Sequence, residues 1–100
     1  MIKTYNKEFV ISSKGMKSGC IEFFFKPSFN MLGKIIESVN EIRYSVTIGD
    51  DKIWILLPPS ALLSFIAKGF QKDLLTHFQH RVTTNESGTS DWCEIVTWMP

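Results

Sequence analysis

Residues 43–57 read RYSVTIGDDKIWILL, and few local structures accommodate that order of side chains. Tyr44, Val46 and Ile48 alternate with Arg43, Ser45 and Thr47, which gives an extended chain one apolar and one polar face. Gly49-Asp50-Asp51 makes a turn. Residues 52–57 then return, apolar without a break from Ile53 to Leu57, as a strand expected to be buried on both faces. A β-hairpin is therefore expected, and Pro58-Pro59 stops it.

Two further strands are expected before it. Residues 8–12 are short and half apolar. In residues 20–26, Ile21, Phe23 and Phe25 alternate with Cys20, Glu22, Phe24 and Lys26, the period of a half-buried strand. Gly15 and Gly19 lie in the turn between the two, and Pro27 ends the second because it brings no N–H to a ladder. Phe29, Leu32, Ile36 and Val39 recur at three- and four-residue steps, which predicts an amphipathic helix over 29–40 with Ser28 as its cap. Leu63, Ile66, Phe70, Leu74 and Phe78 repeat that spacing, which predicts a second helix from about Ser60 to Val82, kinked or broken at Gly69. Thr83 to Ser90 is turn-rich, and residues 92–98 (WCEIVTW) read as a last strand.

The expected order is ββ-α-ββ-α-β, an α+β fold in which two helices pack on one face of a mostly antiparallel sheet. One hundred residues hold one core, so 1–100 is expected to be a single globular domain. With 44% hydrophobic and 13% aromatic residues, that core needs no metal or disulfide staple.

Eleven Lys+Arg against ten Asp+Glu leave a net charge of +1, too balanced to draw in nucleic acid or an anionic membrane by bulk charge. No apolar leader occurs in residues 1–13, and the longest apolar stretch, 53–67, is too short to span a bilayer and is interrupted by Pro58-Pro59. Cys20 and Cys93 lie far apart, without metal-ligand spacing, and are expected to be reduced, buried and strand-borne. The expectation is a cytoplasmic domain, without membrane contact, that is a monomer or a small homo-oligomer.

Chemistry-bearing residues are sparse. His77 and His80, three apart on the expected helix and next to Arg81, could share a face and form an acid–base or nucleic-acid-cleaving cluster. The simpler reading is that they offset the negative end of the helix dipole. No further ligand is spaced to complete a metal site, so neither metal nor cofactor is expected. Asp50-Asp51 reads as a turn, and the signatures of nucleotide-binding loops, nucleophile elbows and zinc proteases are missing.

Aromatic residues point elsewhere. If Ile21, Phe23 and Phe25 face a core, Phe24 faces outward with Glu22 and Lys26. Trp92 and Trp98 fall on one face of the last strand, with Glu94 between them, and tryptophan is enriched where proteins meet. The sequence therefore leads to the expectation of a small non-enzymatic binding protein. It would occlude a partner protein such as a toxin or effector, in the manner of an immunity protein, antitoxin or host-defence inhibitor. The contacts would be Phe24, Lys26, Trp92, Glu94 and Trp98. The alternatives are an RNase-type toxin using His77, His80 and Arg81, and a phage or accessory assembly subunit.

Overall fold

The computed structural model describes residues 3–5, 9–13, 15–47, 49 and 51–99, the first three by backbone alone. Among them the regular elements are all strands: β1 (Lys3–Tyr5), β2 (Phe9–Ser12), β3 (Ile21–Phe25), β4 (Ser28–Phe29), β5 (Ile35–Ile36), β6 (Val39–Ser45), β7 (Ile55–Leu56), β8 (Ser64–Ala67), β9 (Thr76–Thr84), β10 (Gly88–Thr89) and β11 (Val96–Trp98). The expected α+β fold is thus corrected to all-β. Of the expected elements, Glu8, Ile48 and Asp50 lie outside the described residues.

Every pairing is antiparallel. A four-stranded sheet runs β1-β2-β3-β8 and a five-stranded sheet runs β10-β9-β6-β7, with β11 beside β10 on the same edge of β9. The chain crosses between sheets after β3, β7 and β8, a Greek-key course. Inward-facing Phe9, Ile11, Ile21, Phe23, Phe25 and Ala67 of the first sheet meet Ile42, Phe78, Val96 and Trp98 of the second. Ring contacts fix the alignment: Phe23 lies 5.4 Å from Phe78, and Phe25 lies 5.0 Å from His80. Each fully buried Phe contributes about 1.5–3 kcal/mol, so this aromatic layer dominates the packing.

The first expected helix is a hairpin, β4–β5, leading into β6. Gly33 adopts φ 77°, and Asn30 Oδ1 accepts from the backbone N–H groups of Leu32 and Lys34. A side chain that satisfies its own turn competes with helical bonding. The apolar stripe that suggested a buried helical face is largely exposed, at Phe29, Leu32 and Val39. The second expected helix is β8, a turn and β9. Positive φ at Gly69 (90°) and Asp73 (62°) breaks helical continuation, and beyond it Thr76, Phe78 and His80 alternate inward.

The hairpin read from residues 43–57 does pair, with Arg43 opposite Leu56 and Tyr44 opposite Ile55. Its return strand, however, is a two-residue edge with Ile53, Ile55 and Leu56 exposed, not a strand buried on both faces. The last strand is shorter than expected. Cys93 packs against the core and Val96 is buried, so two residues stand between inward positions where alternation allows one. That irregularity has the character of a bulge and sends Trp92 to the outer surface.

Candidate functional site

β6 and β9 form the longest pairing, from Val39 opposite Thr83 to Ser45 opposite His77. Period two therefore delivers Glu41, Arg43 and Ser45 to the outer face beside Arg81, Gln79 and His77. Gln79 Oε1 accepts from Arg43 Nε at 2.9 Å and also from Nη2, while Gln79 Nε2 donates to the Cys93 carbonyl at 2.7 Å. Thus the amide fixes the plane of the guanidinium and ties it to the segment that carries Trp92.

Two indoles close over that guanidinium. Trp54 and Trp92 lie with their centroids 4.4 and 4.3 Å from Arg43 Cζ, and Arg81 Cζ lies 4.4 Å from the Trp92 ring. The result is a ladder in the order Trp54, Arg43, Trp92, Arg81. Glu41 holds its end through a two-pronged pair with Arg81 at 3.1 and 3.2 Å. Each cation–π step contributes about 0.5–1 kcal/mol at a half-exposed site, and the ion pair adds less than about 1 kcal/mol. Burial, and secondly the charge of Arg81, push the Arg43 pKa down.

Beside the ladder lies a cleft of about 330 Å³ lined by Arg43, Gly49, Lys52, Trp54, Gln79 and Ile95. Lys52 Nζ donates to the carbonyls of Gly49 (2.7 Å) and Thr47 (3.3 Å). His77, on the same face, has Nδ1 3.1 Å from Thr97 Oγ1, and burial followed by the Lys52 charge lowers its pKa.

His80 points the other way. It stacks on Phe25 inside the sandwich, and its Nε2 donates to Asn40 Oδ1 at 2.9 Å. That bond places the proton on Nε2, and burial holds the imidazole pKa down at about 4. The separation of three that would align two histidines on a helix puts them on opposite faces of a strand. His77, His80 and Arg81 do not form one cluster: His80 is in the core, and Arg81 is committed to Glu41 and Trp92. Among the described residues no group of three His, Cys, Asp or Glu gathers around a possible metal position, and no helix is long and apolar enough to cross a membrane. Cys20 and Cys93 are half-buried, in no disulfide and in no strand.

The five expected contact residues do not share a surface. Phe24 does face outward, between Val10 and Ser64, with Lys26 exposed just beyond it. Trp92 lies on the opposite outer face of the sandwich, next to exposed Glu94. Trp98 is a core residue, 4% exposed.

A surface that the aromatic pattern did not announce runs along one flank. β7 edges the five-stranded sheet and β8 edges the four-stranded sheet, and the chain between them ties both together. Ser60 pairs with Asn40, and the Leu63 carbonyl accepts from the Phe25 N–H at 2.8 Å. Residues 53–67 contain no charged side chain. Within them Ile53 (72%), Ile55, Leu56, Leu62 (68%), Leu63 and Ile66 are exposed. The signal was present in the sequence as its longest uncharged stretch, but burial was the natural reading of it. Compared with known proteins, the chain matches no family model and is similar in sequence to no curated protein.

Proposed function

We propose that this domain is a non-catalytic binding module that covers an apolar surface of a partner protein with its β7–β8 flank. One observation carries the reading: six large apolar side chains stand exposed along fifteen consecutive uncharged residues that join the edges of the two sheets. Sixteen large apolar side chains are exposed among the described residues against eleven buried hydrophobic ones, a ratio that favours a surface made to be covered. Pro58-Pro59 and the two-residue β7 blunt the open edge, which disfavours indiscriminate strand pairing and leaves side-chain contact as the mode of association. The occluding inhibitor and the assembly subunit are both forms of this reading. The nuclease reading has no assembled cluster behind it.

Affinity capture with the wild-type domain and with the Leu56→Glu/Leu63→Glu double variant tests it. Both positions are exposed, so the variant should fold. The expected result is a partner retained in fixed stoichiometry by the wild type and lost with the variant. Equal retention by both proteins would remove the flank from the contact.

A further inference from the structure

The cleft beside the ladder has a composition of its own. Among the described residues six line it, of which two are cations, one is an amide and none is acidic. Arg81 has a carboxylate partner in Glu41, whereas Arg43 pairs with no carboxylate among the described residues; its hydrogen bonds go to the neutral amide of Gln79.

Donor arithmetic is specific here. A guanidinium carries five N–H groups, and Gln79 engages the Nε edge, so Arg43 keeps both protons of Nη1 and one of Nη2. Lys52 has three protons and spends two on Gly49 and Thr47, which leaves one and also holds the ammonium in place. Both cations are anchored before any ligand arrives: Arg43 by two indoles and an amide, Lys52 by two carbonyls. Preorganisation of this kind lowers the ordering cost of binding. The lowered pKa values of Arg43 and His77, each caused in part by a neighbouring cation, mark this face as positive.

We infer that the Arg43–Lys52 cleft is an oxyanion site, taking a phosphate or carboxylate group end-on against the free Nη protons of Arg43 with the Lys52 ammonium beside it. A forked guanidinium matches two oxygens of either group, and a volume of about 330 Å³ holds the anion with a short part of whatever carries it. The site stands on the outer face of the five-stranded sheet and shares only Trp54 with residues 53–67 of the flank.

The test is a titration of the full chain with sodium phosphate and, separately, with sodium succinate, at ionic strength held constant with sodium chloride. Tryptophan fluorescence and the Arg43 Nε–H resonance are the readouts. Saturable changes in both are expected. Affinity should be about tenfold weaker in Lys52→Gln, the loss of one charge-assisted bond, with an unchanged far-ultraviolet spectrum. Arg43→Lys, which keeps the charge and loses the fork, should weaken it at least as much. Should Arg43→Lys fail to fold, Lys52→Gln still decides, because Lys52 is outside the ladder. Saturation with phosphate alone assigns a phosphate-bearing ligand, and saturation with succinate assigns the carboxylates of an acidic ligand. No saturable response to either anion, or the same affinity in Lys52→Gln and wild type, overturns the inference.

Discussion

Arg43 and Gln79 face each other directly across β6 and β9, and the Gln79 amide oxygen accepts from the Arg43 Nε–H at 2.9 Å. The other end of that amide donates to the Cys93 carbonyl, so one side chain joins two sheet strands to the bulged segment that carries Trp92. The indole then lies over both Arg43 and Arg81.

Because Trp92 serves two cations, its loss should exceed that of either. Trp92→Leu retains an apolar group but loses both stacking steps, and should cost about 1–2 kcal/mol. Urea denaturation of Trp92→Leu, Arg43→Met and the double variant should give a coupling of about 0.5–1 kcal/mol; strict additivity would mean that the ladder stores no energy.

Acid should weaken the fold through His80. Its pKa falls from 6.5 to about 4 on folding because the buried ring cannot carry charge. Between those values the unfolded chain binds more protons, so stability is retained above pH 6.5 and lost as pH drops towards 4. The loss is about 3 kcal/mol at full extent. His80→Phe, which can keep the stack on Phe25, should flatten this part of the stability–pH curve.

The same pair makes a second test. Asn40 Nδ2 and His80 Nδ1 are buried without hydrogen-bond partners among the described residues. Asn40→Leu alone strands the His80 N–H and should cost about 1–3 kcal/mol. Asn40→Leu combined with His80→Phe removes both polar groups and should recover most of that, as measured by urea midpoint at pH 7.

Two glycines with positive φ should respond unequally to alanine. At Gly33 (φ 77°) an added Cβ meets open space, and Gly33→Ala should cost about 1–2 kcal/mol for backbone conformation alone. At Gly19 (φ 83°) the Cβ would stand 2.8 Å from the Phe70 carbonyl oxygen, where the Gly19 carbonyl also receives the Phe70 N–H. Gly19→Ala should cost about 3 kcal/mol or more, readable as the difference in thermal midpoint between the two variants.

The strand that the residue pattern revealed most fully, β3, is half-buried and alternates strictly. Ile21, Phe23 and Phe25 face the core as their spacing requires, and Phe24 is left outside. The helices failed for a definable reason. A separation of four residues shares a face in a helix and in a strand alike, so Phe70, Leu74 and Phe78 were equally compatible with both. The decisive features were the positive φ angles at Gly69 and Asp73 and the two-residue alternation of Thr76, Phe78 and His80. Arg43, Gln79 and Arg81 were visible as polar positions, but assembling them needed the pairing of β6 with β9, and no local period carries a register between distant segments. Trp54 and Trp92 reach the ladder from outside strands, where alternation gives no direction.

Hydrogen exchange on the domain with and without its captured partner decides whether the β7–β8 flank meets that partner. Slowed exchange is expected in residues 53–57 and 62–66 on complex formation, with little change in 77–81. Protection confined to 77–81, or unchanged exchange along the flank in a saturated complex, would contradict it.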